Sequence, residues 1–211
     1  MSKYANPGSA NIRMPWFVYW LKYKPRLRQL EKIQIEEGDV VFLGDSITEW
    51  NDWQAAFPEI RAHNFGIAGD TSFGVLSRLQ QITSGAEPSQ LFLLIGTNDM
   101  FTFRRVSLEE LLSNIESIIK KINTVFPKTN IYVQSVMPRQ AKFAEAIKEL
   151  NQHIEIIAEQ LNVTYIDLWG IMDDGSGRLR RDYTRDSLHL NKRGKRKWVD
   201  FLQAFVASSK R

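Results

Sequence analysis

Five short apolar or β-branched runs, at residues 40–43, 60–65, 91–95, 130–134 and 163–166, alternate with longer segments of helical periodicity. That alternation constrains the fold more than any other feature of the chain. The run Leu91-Phe92-Leu93-Leu94-Ile95 contains no polar residue, as expected of a strand buried on both faces. After it, Leu108, Leu111, Leu112, Ile115, Ile118, Ile119, Ile122 and Val125 recur at the spacing of one helix face. Ser107 and Glu110 form a capping-box start for that helix, and Pro127 follows its end. A second stripe runs through Ala144, Ile147, Leu150, Ile154, Ile157 and Leu161. Residues 72–83 and 192–206 also read as helices. Residues 16–30 predict one more, limited or kinked by Pro25. Strands joined by helices run parallel, so the expected architecture is an α/β fold. It is a three-layer α/β/α sandwich on a five-stranded parallel sheet of order 2-1-3-4-5.

At 211 residues the chain reads as one domain, residues 1–211, with residues 1–38 as a helical extension packed on it. A 43% hydrophobic and 25% charged composition is that of a soluble globular protein, and a cytoplasmic location is expected. There is no cysteine, which excludes a disulfide framework, a thiol nucleophile and a thiolate metal site. The apolar stretch 15–21 is too short to span a bilayer, and residues 1–10 lack the pattern of a secretory signal. Net charge is 28 − 24 = +4, unevenly spread: residues 178–197 hold nine basic residues against Asp182 and Asp186, 9 − 2 = +7. Such a patch attracts nucleic acid, anionic lipid or an anionic substrate, or is simply a solvated helix face. No helix-turn-helix, RRM or KH signature accompanies it, so nucleic acid is not an expected partner. Gly-x-Gly-x-x-Gly and Walker-type glycine loops are absent, which counts against a nucleotide site.

In open parallel sheets, ligands bind beyond the carboxyl ends of the strands. There the sequence has Gly44-Asp45-Ser46-Ile47-Thr48, then Asn64-Phe65-Gly66-Ile67-Ala68-Gly69-Asp70-Thr71, then Gly96-Thr97-Asn98-Asp99, and finally Asp186-Ser187-Leu188-His189-Leu190-Asn191. Singly, each has an ordinary structural reading. Ser46 caps a helix, Asn98 bonds its own turn, Gly69 supplies positive φ, and Asp186 caps a helix running into Asn191. His189 also has competitors in His63 and in His153, the latter on a predicted helix. Together they fit one task. A serine hydroxyl needs a base to take its proton, and His189 has the right pKa range. Asp186, three residues earlier, can hold the far ring nitrogen. The developing oxyanion then needs fixed donors, and the Ser46 amide, the Gly69 amide and the Asn98 side chain offer three.

These runs resemble the SGNH or GDSL hydrolase family of esterases and lipases. Ser46, Gly69, Asn98 and His189 match its four named residues in order, over roughly residues 40–198. The longer runs are most similar to the branch containing the platelet-activating-factor acetylhydrolase catalytic subunits and bacterial relatives. The resemblance implies a flavodoxin-like sandwich, a metal-free acyl-enzyme mechanism without a cofactor, and broad activity on small esters. It leaves open sugar O-acetyl esters, lysophospholipids and thioesters. A small-molecule ester is the expected partner. Trp50, Trp53, Phe73, Met100, Phe101 and Phe103 are expected around the acyl pocket, with core packing as the ordinary alternative. The aromatic segment 15–23 either docks on its own domain or forms a homodimer patch.

Overall fold

A computed structural model describes residues 18–101 and 106–206. Five strands, β1 (Val40–Gly44), β2 (Ala62–Gly66), β3 (Gln90–Leu94), β4 (Asn130–Gln134) and β5 (Thr164–Ile166), form one parallel sheet. Its order is β2-β1-β3-β4-β5, the order expected for this element count. The chain reverses direction across the sheet between β1 and β3, the switch point of such topologies.

The helices are α1 (Lys24–Leu30), α2 (Ser46–Glu49), α3 (Trp53–Ala56), α4 (Ser72–Ser77), α5 (Gln80–Thr83) and α6 (Thr97–Phe101). They continue with α7 (Leu108–Val125), α8 (Ala144–Gln160), α9 (Trp169–Met172) and α10 (Lys192–Leu202). The pleat of β1 divides the core: Val41 and Leu43 face one helical layer, Val40 and Phe42 the other. On the first side lie α7 and α8 through Ile115, Ile118, Ile147 and Leu150, with Tyr23 and Leu30 from the N-terminal segment. On the second side Trp53, Met172, Trp198 and Leu202 pack on Phe42 and Phe92. Trp53 stacks on Phe42 at 3.8 Å between ring centres, and its indole N–H donates to Thr48 O.

Two helices differ from the sequence expectation. Residues 72–83 form two short helices, because Arg78 leaves helical geometry (φ −112°, ψ 12°) and turns inward. There its guanidinium meets Asp70 Oδ2 at 2.7 Å, Phe65 O at 2.8 Å and Gly44 O at 3.1 Å. The helix before Pro25 is a π turn, Tyr19–Tyr23, in which Lys24 N–H donates to Tyr19 O. Pro25 then sits in the first turn of α1, where a missing N–H costs nothing.

The register aligns the strand ends: Gly44 lies opposite Gly66 on one side and Leu94 on the other. The loops leaving these strands therefore gather on one edge of the sheet. A Cβ at Gly66 would stand 2.2 Å from Glu49 N, so only glycine lets α2 sit this close to β2.

Candidate active site

Beyond Gly44, Asp45 takes the N-cap of α2, its Oδ1 accepting Ile47 N–H at 2.8 Å. The capping role thus falls to Asp45, which leaves the Ser46 hydroxyl free to point away from the helix. Ser46 Oγ stands 3.0 Å from His189 Nε2, although the two residues are 143 positions apart.

His189 arrives on the loop before α10. Its Nδ1 lies 2.6 Å from Asp186 Oδ2, while Asp186 Oδ1 accepts the backbone N–H of His189 at 2.8 Å and of Leu188 at 3.0 Å. Ser187 bends this turn with φ +60°, a left-handed conformation that folds Asp186 back toward the ring. Thr184 Oγ1 closes the loop by donating to His189 O at 2.8 Å. Partial burial pushes the Asp186 carboxyl up, but the hydrogen bonds from the His189 ring and from the two backbone amides outweigh it. They hold Asp186 at about 2, ionised at all ordinary pH. The helix cap is Asn191, which accepts from Arg193 N–H and Gly194 N–H. The competing histidines lie elsewhere: His63 Nε2 pairs with Asp39 Oδ2 at 2.6 Å, and His153 is exposed on α8.

Gly69 has φ +77°, and Asn98 Nδ2 donates to the backbone O of Asp70 at 2.9 Å. Asn98 thus bonds across to the second strand-end loop. Its Nδ2 reaches Asp45 Oδ2 only at 3.5 Å. Among the described residues, the backbone N–H groups of Ser46 and Gly69 have no acceptor. Beneath these donors lie three buried acids, Asp45, Asp70 and Asp99. Burial raises all three. Asp45 reaches about 7 despite the Ile47 amide, and Asp99 about 6 despite its bonds from Ser72.

The family model for the GDSL-like lipase/acylhydrolase family matches residues 42–197. The chain belongs to this family. Human platelet-activating factor acetylhydrolase IB subunit alpha2 is 31% identical over 164 residues, covering 74% of this chain and 70% of that one. The rat alpha1 subunit is 25% identical over 169 residues, covering 75% and 71%. Among solved structures, a Streptococcus pneumonia protein named for platelet activating factor superposes with TM-score 0.80 at 28% identity, covering 90% and 94%. A GDSL-like lipase from Bacteroides thetaiotaomicron shares the fold, with TM-score 0.72, 23% identity and coverage of 87% and 96%.

In this GDSL acylhydrolase a void of about 10 Å³, room for about one water, is lined among others by Ile47, Thr97, Met137, Arg139 and Leu188. Three of these are immediate neighbours of Ser46, Asn98 and His189. Trp50 is half exposed and tilts over the His189 ring at 4.2 Å. Phe73 is half buried at the start of α4, and Met100 packs against the core beneath α6. Trp53 is wholly in the core, as its stacking on Phe42 dictates. The Phe101 side chain lies outside the described residues, as do Trp16 and Phe103. Within the basic segment Arg180 and Arg193 flank Asp182 at 3.4 and 3.3 Å, and Arg196 reaches Asp200 at 3.9 Å. Lys195 Nζ bonds the backbone O of Trp50, tying α10 to the rim of the site. No helix among the described residues is long and apolar enough to cross a membrane.

Proposed function

We propose that this acylhydrolase is a serine esterase that cleaves short-chain carboxylic esters through an acyl-enzyme on Ser46. The observation that carries the reading is the unbroken relay from Ser46 Oγ to His189 Nε2 at 3.0 Å and from His189 Nδ1 to Asp186 at 2.6 Å. Ser46 Oγ bonds to the ester carbonyl carbon as its proton passes to His189 Nε2. The oxyanion meets the N–H groups of Ser46 and Gly69 and the Asn98 amide. Collapse breaks the carbonyl–alkoxy bond, and His189 returns the proton to the departing alcohol. Water then repeats the sequence on the acyl group, with His189 as base. Asp186 stays ionised and stabilises the imidazolium each time.

The mammalian relatives are named acetylhydrolases, and that likeness supports a short acyl group. Fluorophosphonate treatment followed by peptide mass spectrometry tests the nucleophile. Label on Ser46, lost in Ser46→Ala, is expected; a folded protein that takes no label overturns the reading. A p-nitrophenyl ester series should peak at acetate or propionate, and a maximum at palmitate would overturn the short-chain preference.

A further inference from the structure

The segment before β1 lies outside the span matched by the family model, residues 42–197, yet its side chains reach the loop that carries Gly69. Tyr23, 1% exposed, donates its hydroxyl to Asp70 Oδ1 at 3.2 Å. Three residues later on the same helical face, Arg26 lies 3.7 Å from Glu49 Oε1, and Glu49 Oε2 accepts the backbone N–H of Ala68. Arg26 also donates to Asn64 O at 2.7 Å and to Gly66 O at 3.1 Å, in the last residues of β2 before the loop. Ala68 and Asp70 are the two neighbours of Gly69, so each side of that glycine is tied to the N-terminal segment. Asp70 has a second duty, because its backbone O receives Asn98 Nδ2. The π turn ends on Tyr23 itself, and a single inserted residue of this kind re-aims the side chains beyond it.

Gly69 needs this support. Its φ of +77° places it in a loop with no ladder hydrogen bonds of its own. A donor stabilises an oxyanion only while it is held within tenths of an ångström of its place, and a 1 Å error costs about 100-fold in rate. We propose that Tyr23 and Arg26 are positioning residues for the oxyanion hole, clamping the Gly69 amide and the Asn98 side chain from outside the motif region. The proposal rests on the reading of Gly69 and Asn98 as oxyanion donors.

The test uses the full chain carrying Tyr23→Phe, Arg26→Gln or both. Three readouts are taken: kcat for p-nitrophenyl acetate per fluorophosphonate-reactive site, KM, and Ki for a trifluoromethyl ketone, whose serine adduct carries the oxyanion. Each single change is expected to lower kcat roughly 10-fold, a fraction of the 10²–10³ that losing a donor outright costs. KM should move less than about 2-fold while the ketone Ki rises by the same factor as kcat falls. Arg26→Lys, which keeps a cation toward Glu49, should recover part of the loss. Unchanged kcat per reactive site and unchanged ketone Ki overturn the proposal, even where melting temperature falls, because the role would then be stability alone. If Tyr23→Phe does not fold, the partly exposed Arg26 position carries the test. Asn98→Ala, run alongside, separates the two levels. Full activity there removes the oxyanion reading itself; loss there, without loss at Tyr23 and Arg26, removes only the clamp.

Discussion

Two sets of acids flank Ser46, and the protein treats them in opposite ways. Asp186 sits on a half-exposed loop, held at about 2 by the His189 ring and two backbone amides. Asp45, Asp70 and Asp99 lie under the strand-end loops, and burial raises all of them. The difference teaches where charge is wanted. On the proposed mechanism an anion opposite the imidazolium must stay ionised throughout turnover, and Asp186 is surrounded by donors and open to water. The buried acids serve as acceptors that fix loops: Asp45 caps α2, Asp99 takes the Ser72 hydroxyl and amide, and Asp70 gathers Tyr23 and Arg78.

The largest expected effects fall on the exposed side. His189→Ala should lower kcat by roughly 10⁴–10⁶ and Asp186→Asn by roughly 10⁴, with the fold intact by circular dichroism. A much smaller loss in Asp186→Asn would mean that the aspartate only shapes the loop. Next, Asn98→Ala should cost roughly 10²–10³ in kcat, as for one oxyanion donor. Full activity would remove Asn98 from the hole and confine its role to bridging the second and third loops. Smaller again is Ser187→Val. A branched residue at φ +60° costs about 1–2 kcal/mol, so melting temperature and kcat should both fall while Ser187→Gly keeps them. Equal behaviour of Val and Gly would show that this turn does not govern the Asp186–His189 contact.

The last prediction concerns pH and leaves catalysis aside. Asp45 loses its proton near pH 7 in the folded chain and near pH 4, roughly, when unfolded. Between those values the native state binds the extra proton, so the Asp45 contribution to stability falls as pH rises from about 4 to 7 and is level above. Asp186 has the opposite sign: its contribution is present above the ordinary carboxylate range and is lost as pH falls toward about 2. Urea midpoints compared between pH 5 and pH 7.5 should show a decline that Asp45→Asn shallows. An unaltered decline would locate it in other groups.

The elements were legible because the two periods are unambiguous: uninterrupted runs such as 91–95 must be buried on both faces, and the Leu108–Val125 stripe admits one helical face. The break at Arg78 was not. A local pattern of helix formers carries no notice that one guanidinium will be drawn inward by Asp70 and two strand-end carbonyls. Among the motif residues, type and spacing nominated Ser46, Gly69, Asn98, Asp186 and His189. Which way the bulky neighbours of the motifs point was not legible, because bulk and aromaticity do not reveal direction. Trp53 and Met100 turn to the core, while Trp50 lies over the His189 ring.

By itself the sequence determined the layer architecture, the strand order and the edge on which chemistry gathers. The layers derive from periodicity, a local rule, and the order is the commonest of the few that right-handed parallel crossovers leave. Tertiary structure alone decided which side chains meet: the 3.0 Å approach of Ser46 to His189, the choice of Asp45 as cap, and the reach of Tyr23 to Asp70 across 47 residues. Contacts between distant positions depend on how the whole core closes around them, and no window of sequence contains that information.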